Sequence, residues 1–509
     1  MANCVHNQVE SFKRRYFKDT PVVQNTNLNY GLILRIVERL TTDVKKFYKP
    51  EFNFHKYVAS KPGSARRRFL KAVEQLRTGT RALDRVSRIS AFVKNERYFA
   101  QGKAPRLIMG RDPRFNVYYA RFIARFEDAF FQLPQVANAC DYQSCGDKFS
   151  KLYRKSSRMF ENDMSAYESS QRWLYLALEF LVYAWVCPED EVEDLKLLFA
   201  TKLVKSGRTE AGLKFYFEMC RGSGDLDTGC GNGVGNYIAT AYFKIVNFCP
   251  LAGNCRVDGS CCGCLDFVVK GDDSYGTVPE RHTANLINTY AWFGLDAKLI
   301  YRPDGRLTEF CSGHFIRTSD GFTYVQKLRK LITSVSTLIN PDFLRRGQAA
   351  HYYRSLGDMY AVLYKGVPVY SEIAEFLQTS SSRLRINVNM VQGSYGAYQA
   401  FSNTRSVQKI GVCPETLLDI SMVNEMSLPE LECLATHFRT HKLKLPPEYQ
   451  RRCNLKGVRA NATIEIPHDI HMGFDRKLND KRAVTFKREL DYLLKFPSRA
   501  LPQIAKRSQ

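Results

Sequence analysis

The segment FVVKGDDSYGTV (267–278) sets two adjacent aspartates, Asp272 and Asp273, between apolar residues. The runs on either side read as a β-hairpin, because glycine and aspartate supply turn backbone while valine and tyrosine suit strands. Such a turn can be an ordinary exposed one. It becomes a chemical site when another strand delivers a third carboxylate to it, so the neighbouring segments decide what the chain folds into.

They are arranged to do this. SRMFENDMSAYESS (157–170) reads as a strand reaching Asp163, followed by a turn into the apolar helix WLYLALEFLVYAWV (173–186). SGDLDTGCGNGVGNYIATAYFKIVNF (223–248) reads as a glycine-rich loop entering a helix with Val234, Ile238, Tyr242 and Ile245 at helical spacing. The hairpin comes next. HTANLINTYAWFGL (282–295) is expected to be another amphipathic helix, with Leu286, Ile287, Tyr290 and Phe293 on one face and Gly294 as its stop, before DAKLIY returns as a strand. These elements can form one antiparallel sheet backed by helices, with Asp163 beside the Asp272 turn. Two unit charges about 4 Å apart repel by about 4 kcal/mol at an effective dielectric near 20. A cluster of three carboxylates therefore calls for a compensating cation. Hard divalent ions with oxygen ligands supply it, and a pair of them can stabilise both the attacking and the leaving oxygen of a phosphoryl transfer.

Composition points to the same kind of partner. The 509 residues carry a formal net charge of +24, with 44% hydrophobic and 13% aromatic residues. That is a folded chain whose basicity suits a polyanion, RNA or DNA first, with a membrane surface or plain solubility as the alternatives. The amino-terminal MANCVHNQVESFKRRYF has no apolar core and reads as no secretion signal. The 173–186 run is broken by Glu179 and is too short for a bilayer, so it is expected to be a buried helix. Fifteen cysteines suggest reduced thiols rather than a disulfide scaffold. Five of them crowd into CPLAGNCRVDGSCCGC (Cys249, Cys255, Cys261, Cys262, Cys264). A structural zinc site is one reading of that cluster, but the spacing matches no familiar ligand pattern, and small buried residues before a hairpin is the preferred one.

Residues 1–90 are basic and helical in pattern. Their cluster KPGSARRRFLKAVEQLR (61–77) is either an RNA contact or a solvated helix face. FVKNERYFAQGKAPRLIMGRDPRFN (92–116) places Lys94, Arg97, Lys103, Arg106, Arg111 and Arg114 around a Gly/Pro-marked hairpin, available to a triphosphate or to template phosphates. From 331 onward helices dominate. SLPELECLATHF (427–438) opens with a capping box, Ser427 and Glu430, and carries Leu431, Leu434, Ala435 and Phe438 on one face. The last forty residues are rich in Lys and Arg and are expected to be a partly ordered tail.

In these residues the sequence resembles the RNA-dependent RNA polymerases of positive-strand RNA viruses, most closely the tombusvirus-like group and its flavivirus-like relatives. FVKNERY…KAPRLIMGRDPRFN is similar to motif F, DMSAYES to motif A, SGDLDTGCGN to motif B, KGDDS to motif C, FGLDAKL to motif D and EFCSGHF to motif E, in family order over about 94–315. RSLGDMYAVLYKGVPVY (354–370) looks like thumb sequence of the same group.

The resemblance implies an α+β right-hand polymerase with fingers, an antiparallel palm sheet backed by helices, and a mainly helical thumb. Its divisions would be a basic extension with fingertips (1–90), fingers (91–157 and 173–222), palm (158–172 and 223–325), thumb (326–470) and a basic tail (471–509). It implies two Mg²⁺ (or Mn²⁺) ions on Asp163 and Asp272, with Asp273 assisting. Arg106, Lys94 and Lys103 would meet the triphosphate, with Glu168, Ser223, Thr228 and Asn232 near the ribose or template. Arg97, Arg111, Arg114 and Gly224 would contact RNA, and Cys311 and Ser312 would sit on the loop gripping the primer end. Lys298 would donate a proton to pyrophosphate, or be an exposed strand lysine.

The group usually has aspartate where this chain has Glu168, which is expected to hydrogen-bond Ser223 or Asn232 in sensing the 2′-hydroxyl. The implied reaction is RNA-templated addition of ribonucleotides to an RNA 3′ end, in host cytoplasm at membranes reached through a viral partner. The rivals are a reverse transcriptase or other palm-type polymerase, and a non-enzymatic RNA-binding protein.

Overall fold

The helix Trp173–Val186 organises the molecule because, Glu179 apart, it is apolar on every side, and a helix of that kind is stable only when surrounded. The computed structural model describes residues 4–18, 27–61, 63–79, 82–94, 104–251, 254–260, 263–282, 285–336, 348–380, 388–391, 395–404, 409–444, 476 and 478–508. The amino-terminal part is helical: α1 (Val5–Ser11) running into a π-helical turn (Phe12–Tyr16), then α2 (Tyr30–Lys45), α3 (Phe54–Ala59), α4 (Gly63–Thr78) and α5 (Leu83–Val86). Strands β1 (Ile89–Val93) and β2 (Leu107–Arg111) follow, then α6 (Pro113–Phe130), α7 (Tyr142–Tyr153), β3 (Met159–Met164) and the single turn α8 (Tyr167–Ser170). Next come α9 (Trp173–Val186), α10 (Val192–Leu203), β4 (Val204–Thr209), β5 (Lys214–Glu218) and α11 (Thr228–Phe248). The remaining strands are β6 (Phe267–Lys270), β7 (Asp273–Thr277), β8 (Ala297–Arg302), β9 (Glu309–Phe310), β10 (Gly313–Thr318) and β11 (Gly321–Gln326). From α12 (Leu328–Ser336) onward all described elements are helices.

The strands form three sheets, ordered β2-β1-β4-β5, β6-β7-β3-β8 and β11-β10-β9. The first contains one parallel pair, β1 with β4, and the second is antiparallel throughout. A large apolar core packs α2, α6, α9 and α11 behind the β6-β7-β3-β8 sheet. A second core joins α7 and the β9–β11 sheet to the carboxy-terminal half. Burial of each large α9 side chain contributes about 1.5–3 kcal/mol. Close approach of α11 depends on Gly235, where a Cβ would fall inside the ring of Tyr175 on α9. Among the described residues no helix is long and apolar enough to cross a membrane.

Most local expectations hold: the hairpin, the Asp163 strand, the 223–248 loop and helix, and the DAKLIY strand all form. The Ser427–Glu430 capping box is present, with Leu431, Ala435 and Phe438 buried. Helix α4 buries Phe69, Ala72, Val73 and Leu76 and exposes Arg66, Arg67 and Arg68.

Two expectations need correction. Among the described residues of 282–295, where a helix is expected, the helical part is a 3-10 turn, Thr289–Phe293, closed by Gly294 at φ +78°. The side chain of Asn247 on α11 supplies the reason, donating to the Ile287 carbonyl at 3.1 Å and accepting from its N–H at 2.8 Å, which removes the groups a helix would use. Within the basic segment expected to be a partly ordered tail, two helices dock on the core. Helices Lys481–Lys495 and Pro497–Arg507 bury Phe486, Leu490, Leu493, Leu501 and Ile504 in the main core, with Asp480 capping the first. Excess basic charge conceals an apolar stripe at helical spacing.

Candidate active site

The hairpin turns through Gly271 and Asp272, since Lys270 pairs with Asp273 in register. Gly271 has φ +60°, the backbone that a two-residue hairpin asks of its first turn residue and that glycine adopts without strain. Antiparallel pairing of β7 with β3 ends at Asn162↔Ser274, so Asp163 stands one residue further along, level with the turn. On its other side Asp163 pairs with Lys298, which is exposed. The aspartates of two strands thus gather at one end of the sheet.

The charge of Asp163 reaches both aspartates of the turn. Burial pushes Asp272 up to about 6, with the charges of Glu168 and Asp163 adding and Arg106 opposing. Burial pushes Asp273 up to about 8, and Asp272 and Asp163 add to it. The Cys311 thiol donates to Asp273 and partly offsets this. Cys311 and Ser312 form the β9–β10 turn with φ +52° and +61°, and this strained backbone holds the turn against Asp273. Among the described residues no ion pair closes on Asp163, Asp272 or Asp273, and no three His, Cys, Asp or Glu side chains stand already drawn round a single metal. The donor set has hard-cation chemistry: three carboxylates, two of them, Asp272 and Asp273, with proton affinity raised by burial, and no cation paired to them among the described residues. Cys249, Cys255 and Cys264, by contrast, are buried in the apolar core as small packing residues, and Cys261 and Cys262 lie outside the described residues.

Several sequence-predicted binding residues are committed elsewhere. Arg111 is 4% exposed. Its Nε donates to Asp225 at 2.7 Å and Nη2 to the Lys202 carbonyl at 2.6 Å, so it ties strand β2 to the loop before α11 instead of meeting RNA. Burial alone would raise Asp225, but Lys205 and Arg111 outweigh it and hold it at about 2. Arg114 is held by Asp112, the N-cap of α6, at 2.7 Å. The Thr228 hydroxyl donates to the carbonyls of Gly222 and Asp225 within its own loop. The Ser223 carbonyl accepts from Met109 N–H at 2.7 Å, and exposed Gly224 lies against β2 at φ +126°. Asn232 Oδ1 accepts from Gln171 Nε2 at 2.7 Å. Glu168 pairs with neither Ser223 nor Asn232; its partner is Arg15, 3.6 Å away. Arg106 is exposed and its charge reaches Asp272, and the Lys94 N–H donates to the Arg106 carbonyl at 2.7 Å. Arg97 and Lys103 lie outside the described residues.

A family model described as viral RNA dependent RNA polymerase matches residues 1–445. The chain belongs to the viral RNA-dependent RNA polymerase family. It is 23% identical over 354 residues to the RNA-directed RNA polymerase of groundnut rosette virus (strain MC1), covering 66% of this chain and 40% of that protein. It is 28% identical over 283 residues to that of tobacco necrosis virus (strain D), covering 52% and 37%, and 26% identical over 331 residues to that of turnip crinkle virus, covering 60% and 39%. The match spans about two-fifths of each of these curated relatives, at 40%, 37% and 39%.

Within this member of the polymerase family, α11 supplies supports that sequence reading missed. Buried Asn236 donates to the carbonyls of Gly271 and Asp273, both at 3.1 Å, and clamps the aspartate turn. Buried Lys244 donates to the Thr277 carbonyl at 2.9 Å and to the Asp266 carbonyl at 3.1 Å, at the open end of the same hairpin. Eight residues of helix rise roughly 12 Å, and the β7 strand runs roughly 13 Å, so one helix pins both ends of one hairpin. The available signal was Asn236, Thr240 and Lys244, three polar residues four apart on one buried helix face. A further cation, Lys330 of α12, is half-buried where the charges of Cys311, Arg106 and Asp273 all reach it.

Proposed function

We propose that this chain is the catalytic unit of an RNA-dependent RNA polymerase, adding ribonucleoside monophosphates to an RNA 3′ end under direction of an RNA template. The observation that carries this reading is the gathering of Asp163, Asp272 and Asp273 at one end of an antiparallel sheet, in a chain of this family. On this reading the β6-β7-β3-β8 sheet with α11 is the palm, within 158–172 and 223–325. The β2-β1-β4-β5 sheet belongs to the fingers, within 91–157 and 173–222, and the helices of 326–470 form the thumb.

Asp163 and Asp272, with Asp273, would hold Mg²⁺ or Mn²⁺, whose charge would neutralise the phosphates and lower the pKa of the RNA 3′-hydroxyl. Arg106 would bind the triphosphate at the rim of the site, Glu168 would face the sugar, and Lys298 would stand beside Asp163. The Cys311–Ser312 turn would support the RNA 3′ end. Most of the rate enhancement on this scheme is positioning. Primer extension by the purified chain, with RNA template, ribonucleotides and Mg²⁺, tests the reading. Template-dependent RNA product is expected, whereas product from deoxyribonucleotides alone would favour a reverse transcriptase, and RNA binding without product would favour a binding protein.

Arg106→Ala removes a charge-assisted contact worth about 1.5–3 kcal/mol. A rise in nucleotide KM or fall in kcat of on the order of tenfold or more is expected, with template affinity little changed. Loss confined to template affinity would make Arg106 a backbone contact.

The aspartate cluster also sets a pH dependence. Asp272 and Asp273 have folded pKa values near 6 and 8, above the unfolded value. The folded chain therefore holds more protons than the unfolded one as pH rises from about 4 to about 8, and stability falls across that window. At pH 8 without divalent cations, Asp272→Asn is expected to melt a few degrees above wild type, and near pH 4 the difference should vanish. Mg²⁺ should raise the wild-type Tm at pH 8 more than that of the variant. Equal responses of both chains would separate the cluster from metal binding.

A further inference from the structure

We propose that Arg15, on the π-helical turn Phe12–Tyr16, is the positioning residue for Glu168, so that the amino-terminal segment forms part of the ribose gate. The inference rests on the polymerase reading and on Glu168 facing the nucleotide sugar. The turn is fastened to the β2-β1-β4-β5 sheet by its aromatic residues. Phe12 packs on Phe215 with ring centres 5.2 Å apart, and Tyr16 on Phe217 at 5.7 Å. The Tyr16 hydroxyl donates to the Leu107 carbonyl at 3.4 Å. The segment is tied a second time where Lys18 meets Asp296 at 2.9 Å, and the Asp296 carbonyl accepts from Ser165 N–H in the loop leading to Glu168.

Between these fastenings Arg15 points at Glu168. Nη1 lies 3.6 Å from Oε2, and the two side chains are 12% and 19% exposed. Arg15 Nε is buried and makes no hydrogen bond among the described residues, so no structural acceptor there draws the guanidinium away from Glu168. Neither Ser223 nor Asn232 makes a hydrogen bond to Glu168 among the described residues, which leaves Arg15 as its ion-pair partner. Asn232 turns its Oδ1 to Gln171 Nε2, and Gln171 Oε1 in turn accepts from Arg221 Nε at 2.9 Å. Glu168 also faces Asp272, whose charge repels it. Without a cation behind it, the carboxylate would swing away from the site to escape that repulsion. Glutamate reaches further than aspartate by one methylene, and a partner drawing it from the amino-terminal side sets where that reach ends.

The test is the ratio of GTP to dGTP incorporation efficiency on one template at one Mg²⁺ concentration, for wild type, Arg15→Ala, Arg15→Lys, Glu168→Gln and the Arg15→Ala/Glu168→Gln double variant. Arg15→Ala should lower the ratio about tenfold, through the GTP KM, with dGTP use unchanged. Arg15→Lys should recover part of the loss, and Arg15→Ala should add nothing in the Glu168→Gln background. Equal loss of GTP and dGTP use, or an undiminished effect of Arg15→Ala beside Glu168→Gln, overturns the proposal alone. An unchanged ratio in Glu168→Gln overturns the sugar-facing role and the proposal together. A wild-type chain that elongates no RNA overturns the polymerase reading itself.

Discussion

Asp272→Asn is expected to reduce nucleotide incorporation by on the order of a thousandfold or more, the several kcal/mol that metal-borne charge stabilisation supplies to such a transition state. The substitution keeps the size of the side chain, and the turn is built without its charge. Gly271 provides the left-handed backbone, and Asn236 holds the carbonyls of Gly271 and Asp273. The hairpin should therefore persist, and RNA affinity, which depends on basic surface distant from one carboxylate, should change less than about threefold. Single-turnover extension and filter binding on the same preparation measure the two quantities. Wild-type-like extension would remove Asp272 from the chemistry and with it the proposed function. A parallel collapse of RNA binding would mean that the substitution had damaged the fold.

The second large effect concerns stability. Glu179 is the one charged residue in α9 and is fully buried. It pairs with Arg221 and, at 3.2 Å, with Lys202, and both cations also meet Asp227. Two positive and two negative groups balance in a space from which water is excluded. Gly231 leaves room for them, since a Cβ there would press on the Arg221 guanidinium and Glu179 Oε1. Glu179→Ala leaves one buried positive charge uncompensated, and a loss of about 3–5 kcal/mol is expected. Glu179→Gln keeps the volume and some hydrogen bonds and should lose less. Urea unfolding of both variants measures this, and a loss below about 1 kcal/mol for Glu179→Ala would show that water reaches the cluster. Because Arg221 holds Gln171 and Gln171 holds Asn232, Glu179→Gln should also disturb nucleotide use, which links the stability of α9 to the site.

Much of the candidate site was legible because its key features are local. The Asp272 turn is encoded by Gly-Asp between apolar runs, and its geometry follows from four adjacent residues. Helix α11, the capping box at Ser427 and the burial of α9 were readable for the same reason: spacing along a few turns determines which face is apolar. Convergence of Asp163 on the turn was one arrangement open to those strands, and the β6-β7-β3-β8 order of the sheet is the arrangement they take.

The fate of the charged residues was not readable in this way. A formal charge of +24 does not say which cations face solvent. Arg111 and Arg114 lie beside Arg106 in one basic stretch, yet Arg111 is buried on Asp225, Arg114 is held by Asp112, and Arg106 is exposed. The carboxy-terminal helices followed the same pattern, since their docking depends on a core assembled far upstream.

The sequence by itself determined the aspartate turn, the strands that flank it and the helices with a marked apolar face, because turn backbone and apolar spacing act within a few residues. Only the tertiary structure decided which side chains support that site. Asn236 reaches Asp273 across 37 positions, Arg111 reaches Asp225 across 114, and Arg15 meets Glu168 from the far amino terminus. A hydrogen bond or ion pair needs its partner within about 3–4 Å, and no local spacing encodes which distant residue packing will bring there.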